Sequence, residues 1–108
     1  MIRAEFLTAD GVLAGFRITG HSDFGEEGSD IVCAAVSSAA YMVANTITEV
    51  LHADVRVEAE DGDMLLLAEK KARPVCHTVL EGLKLHLQGL EEQYPDDINV
   101  FYLEVSPC

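Results

Sequence analysis

Two Asp-Gly steps constrain this chain most. Asp10-Gly11 and Asp61-Gly62 each stand between two short runs of strand-forming residues. Glycine tolerates the positive φ of a tight hairpin turn, so each step predicts a pair of antiparallel strands. The first pair is Ile2 to Thr8 with Val12 to Thr19. The second is Val55 to Ala59, where Val55, Val57 and Ala59 alternate with Arg56 and Glu58, with Met64 to Ala68, a continuous apolar run. The alternation predicts a half-buried strand.

A helix is expected after each hairpin. The first runs from Ile31 to about Leu51, with Asp30 as N-cap, because a carboxylate there accepts the free N–H groups of the first turn. Val36, Ala40, Val43, Ile47 and Val50 recur at three- and four-residue steps and predict its buried stripe. His52 falls near its end, where a cation is favoured. Lys70, Lys71 and Arg73 read as a solvated loop. Pro74 suits the first turn of a second helix, since its missing N–H is not needed there. Val75, Val79, Leu83, Leu87 and Leu90 predict its stripe, and close packing against a neighbour is expected at Gly82 and Gly89. Pro95 ends this helix, and Ile98 to Val105 is a last strand. The order strand-strand-helix-strand-strand-helix-strand predicts one compact α+β domain over residues 1–108, a sheet with two main helices packed on it.

The formal charge is −12 and the hydrophobic fraction 49%. Such a surface repels phosphate backbones and anionic lipid, so direct nucleic-acid or membrane binding is not expected, while a basic partner would be attracted. Acidity that serves solubility alone fits the same number. No stretch approaching the length of a membrane span is expected. Met1-Ile2-Arg3-Ala4-Glu5 carries a charge pair with no long apolar run behind it, so a secretory leader is not expected either. Cys33, Cys76 and Cys108 form no disulfide framework, which favours reduced thiols and a cytoplasmic setting.

The chemistry concentrates between Gly20 and Ala35. Gly20 and Gly25 have phosphate-loop spacing, but Glu26-Glu27 stand where Lys and Ser/Thr are required. Ala39 and Gly82 stand where a phosphatase arginine would follow Cys33 or Cys76. Neither of these cysteines begins a Cys-x-x-Cys pair. A metal site from His21, Asp23, Asp30 and Cys33, with Cys76-His77 in addition, lacks the paired short spacing of structural zinc, so no metal and no cofactor is expected. Cys76, His77 and His86 read as core and helix surface.

His21 and Cys33 remain. With Asp30 as cap, Cys33 is about the third residue of its helix, where unpaired N–H groups favour an anion. A protonated His21 beside it would complete the thiolate–imidazolium pair of a cysteine nucleophile. Gly20, Gly25 and Gly28 give a loop able to move over a substrate. A small buried cysteine and a loop histidine fit the same residues.

Gly20-His21, followed by Gly28-Ser29-Asp30-Ile31-Val32-Cys33-Ala34-Ala35-Val36-Ser37, resembles the ribosomal-processing cysteine protease family, also called Prp. Length, strand order and acidity agree along nearly the whole chain. The resemblance implies a peptidase that removes a short, basic N-terminal extension from bacterial large ribosomal subunit protein twenty-seven, cutting after a motif with paired aromatics. It places the catalytic pair on His21 and Cys33, supporting positions on Asp30 and Ser37, and implies a homodimer. A non-catalytic ribosome-assembly module, in which Cys33 merely packs, is the alternative.

Overall fold

The computed structural model describes residues 1–20 and 29–105, with the backbone alone at Ser29 and Asp30. These residues form a five-stranded mixed sheet in the order β3-β4-β2-β1-β5. β1 (Ile2–Ala9) and β2 (Val12–Thr19) are the first hairpin, β3 (Val55–Glu60) and β4 (Asp63–Ala68) the second, and β5 is Ile98–Glu104. Asp10 and Gly11 take φ of 54° and 77°, the left-handed pair that the first turn requires. β2 and β4 pair antiparallel, which joins the hairpins, and β5 runs parallel to β1 on the far side.

Helix α1 is Ser29–Asn45 and helix α2 is Arg73–Gln93. Strand period 2 decides which residues they cover. Val57, Leu66, Phe16, Phe6 and Tyr102 lie in one cross-strand row. The middle three are fully buried together with Val32, Val36, Ala40 and Val43 of α1 and Cys76, Leu80, Leu83 and Leu87 of α2. Hydrophobic burial of this row and its neighbours holds both helices to one face. The layered α+β architecture is as expected.

Six local expectations are corrected. Helix α1 starts at Ser29, so Asp30 is its second residue and not its cap. Its far end widens into a π-helical turn at Thr46–Val50. The wider turn rotates the stripe, so Ile47 is buried while Val50 is 70% exposed. β3 is an edge strand, and of its expected apolar face Val55 alone packs on the core, while Val57 is 41% exposed. On α2 the buried face is Cys76, Leu80, Leu83 and Leu87, and Val75 is half exposed. Gly82 and Gly89 have open space where a Cβ would stand, so close packing does not explain them. Lys70, Lys71 and Arg73 are also not a loop. Lys70–Ala72 is a 3-10 turn that leads into α2, with Lys71 paired to Asp54 at 2.8 Å.

The segment Ile31–Val50 is long and apolar enough to cross a membrane, contrary to the sequence expectation. A core helix has the same composition, and here Val32, Val36, Ala40, Val43 and Ile47 pack on the sheet. His52 leaves this helix in the left-handed region at φ 51°, exposed to solvent.

Candidate active site

Cys33 is the fifth residue of α1 rather than the third. The electrostatic benefit of a helix start falls off within the first turn. A helical side chain slants back toward the N-terminus, however, so the Cys33 thiol leans toward the amides of that turn. Cys33 is half-buried and packs against the core at the edge of the Val32–Val36 stripe. Ser37 follows four residues later on the same face, and Tyr41 four beyond that.

These three side chains line one wall of a cavity of about 390 Å³. The facing wall is built by the second hairpin: Ala59, Glu60, Asp61, Gly62, Asp63 and Met64. Its floor includes Ile2, Ile18, Val36 and Ala40. Apolar floor and polar rim are the usual construction of a ligand pocket.

Gly20 closes the cavity at one end. It sits at φ 102°, and a Cβ there would collide with the carbonyl oxygen of Met1. Its N–H donates to the carbonyl of Gly62 at 3.0 Å. Gly20 is therefore pinned between the β1 start and the second hairpin, and the chain leaves it toward His21 from a fixed point beside the cavity. His21, Gly25 and Gly28 lie outside the described residues, as do the side chain of Asp30 and Cys108.

The rim is acidic but not uniformly so. Arg17 grips Asp63 with two hydrogen bonds, Nε to Oδ1 at 3.2 Å and Nη2 to Oδ2 at 2.7 Å. Glu60 and Asp61 are exposed and enter no ion pair among the described residues.

Cys76 presents the opposite case to Cys33. It is fully buried in the core, and burial pushes its thiol up from the ordinary value. A thiol that stays protonated is a poor nucleophile. Its neighbour His77 is exposed, so the two do not converge on one site. Among the described residues no three His, Cys, Asp or Glu side chains gather as metal ligands would.

The structure thus brings Cys33, Ser37 and Gly20 to one cavity. Tyr41 and the acidic second turn were missed in the sequence. Tyr41 extends the i, i+4 line from Cys33 through Ser37, a signal the sequence did contain. The approach of the Asp61-Gly62 turn is set by long-range pairing of β2 with β4, which no local pattern carries.

This chain is similar in sequence and fold to known proteins. Residues 1–99 match the family described as cysteine protease Prp. The ribosomal processing cysteine protease Prp of Bacillus subtilis (strain 168) is 28% identical over 96 residues, covering 83% of this chain and 85% of that protein. The protein of the same name from Staphylococcus aureus (strain Mu50 / ATCC 700699) is 27% identical over 105 residues, covering 94% and 99%. Two crystal structures of an essential ribosomal processing protease Prp from S. aureus are also similar. The one with a covalently linked product peptide has a TM-score of 0.83 at 26% identity, covering 95% of this chain and all of that one. The one with a substrate peptide has a TM-score of 0.86 at 25% identity, with the same coverage.

Proposed function

This chain belongs to the cysteine protease Prp family, and from that premise we propose that it removes the basic N-terminal extension of bacterial large ribosomal subunit protein twenty-seven by thiolate attack of Cys33 assisted by His21. The observation that carries the reading is the placement of Cys33. The thiol lies on a cavity that also contains Gly20, the residue before His21. Gly20 and Cys33, thirteen positions apart in sequence, thereby line the same cavity.

In this reading the Cys33 sulfur attacks the scissile carbonyl carbon, forming a C–S bond as the carbonyl electrons move to oxygen. Amides of the first turn of α1 face the developing oxyanion. Protonated His21 gives its proton to the leaving amine as the C–N bond breaks. Water, deprotonated by His21, then attacks the thioester, and the Cys33 thiolate is released. Ser37 and Asp30 support the pair, and Gly20, Gly25 and Gly28 belong to the loop that meets the substrate. The acidic rim suits a basic peptide. The enzyme works as a cytoplasmic homodimer, needs no cofactor, and binds neither nucleic acid nor membrane directly.

Incubation with a synthetic peptide spanning the extension junction tests this. One new N-terminus at the junction is expected from the wild type and none from Cys33→Ala. A wild type that leaves the peptide intact would contradict the reading.

A further inference from the structure

The two edges of the sheet are treated differently. On β5 an outward amide, Val100 N–H, donates to Glu91 Oε2 of α2 at 2.6 Å, so that edge is capped by a side chain. On β3 no such cap is present among the described residues. The phase of the ladder shows which β3 groups are free. Glu69 N–H donates to the carbonyl of Asp54 at 3.0 Å, in register with the Val55–Ala68 pairing. Hydrogen-bonded and non-bonded pairs alternate along an antiparallel ladder. Arg56, Glu58 and Glu60 therefore bond inward to β4, while the N–H and C=O of Val57 and Ala59 point outward. An unpaired strand edge is a template for another extended chain.

This edge also leads somewhere. β3 runs into Ala59, Glu60 and Asp61, which line the cavity that holds Cys33. We propose that the free edge of β3, at Val57 and Ala59, takes the extended substrate peptide as an added strand and delivers its scissile bond to Cys33. This rests on the function proposed above. The occupant is argued from charge and from continuity with the site. Glu60 and Asp61, exposed and outside any ion pair among the described residues, stand where the edge enters the cavity, and suit a Lys- and Arg-bearing segment. Main-chain hydrogen bonds would then supply affinity and the cavity selectivity.

Amide exchange in Cys33→Ala protein, with and without the junction peptide, reads the edge directly. The amides of Val57 and Ala59 are expected to slow when peptide binds, and that of Glu58, already bonded to β4, to stay unchanged. Bound peptide without protection at Val57 and Ala59 would overturn the proposal, and so would a peptide that does not bind. A second arm uses Val57→Pro, which removes an outward N–H but no ladder bond, a place where edge strands accept proline. A fall of about tenfold in kcat/KM is expected, the scale of one lost net hydrogen bond, with alkylation of Cys33 by iodoacetamide unchanged. Normal cleavage by folded Val57→Pro overturns the edge while the protease reading stands. Absence of cleavage by the wild type overturns the protease reading itself. Should Val57→Pro not fold, junction peptides N-methylated at successive residues replace it, and loss of cleavage at alternate positions is expected.

Discussion

Gly20 is held against the carbonyl oxygen of Met1, with no room for a Cβ between them and a φ of 102° that side chains rarely adopt. This contact fixes where the chain departs toward His21. Gly20→Ala is therefore expected to cost about 2 kcal/mol of stability, from backbone strain and the collision together. Cleavage by the fraction that remains folded should fall as well. Denaturant unfolding alongside peptide cleavage checks both, and a variant of normal stability would contradict the geometry.

Gly82 and Gly89 are the reverse case. Each lies in α2 with open space around a would-be Cβ. Gly82→Ala and Gly89→Ala should each stabilise the protein by roughly 0.5–1 kcal/mol, the helix-propensity difference. A destabilised variant would mean that something packs there after all.

Much of the fold was legible in the sequence because the signals were local. The two Asp-Gly turns, Pro74 at the start of α2 and the Val36–Ile47 stripe all stand where their chemistry puts them. The errors arose where a neighbour decides. Val57 has the alternation of a half-buried strand, but its strand is at the sheet edge and nothing covers it among the described residues. Val50 has helical spacing, but the π-turn at Thr46–Val50 changes the period. Val75 and Cys76 are adjacent candidates for one buried position, and packing in the common core chose the cysteine's face. Cys33 and Ser37 were legible as neighbours on a helix, whereas the acidic wall opposite them comes from strand pairing far along the chain.

Burial raises the Cys76 thiol, and this gives a pH dependence with a definite sign. The folded protein resists ionising this group more than the unfolded chain does. The stability involved is fully present below the unfolded thiol's pKa of about 8.5 and is lost as pH rises above it. Wild-type stability should fall more steeply between about pH 8 and 10 than that of Cys76→Ala. Parallel pH profiles would show that Cys76 is not the group concerned.

Charge makes a separate prediction. An acidic rim that draws in a basic peptide is screened over about 8 Å at physiological salt. At low substrate, cleavage should slow as salt is added. A flat salt profile would leave the −12 charge as a matter of solubility.

The central claim is that Cys33 is the nucleophile, and selective alkylation combined with cleavage tests it most directly. In a Cys108→Ala background, iodoacetamide near neutral pH should modify Cys33 while Cys76 stays unmodified, because Cys33 lines the cavity and Cys76 is buried in the core. Cleavage of the junction peptide should disappear in step with modification of Cys33. Cleavage that persists after Cys33 is fully alkylated would contradict the account.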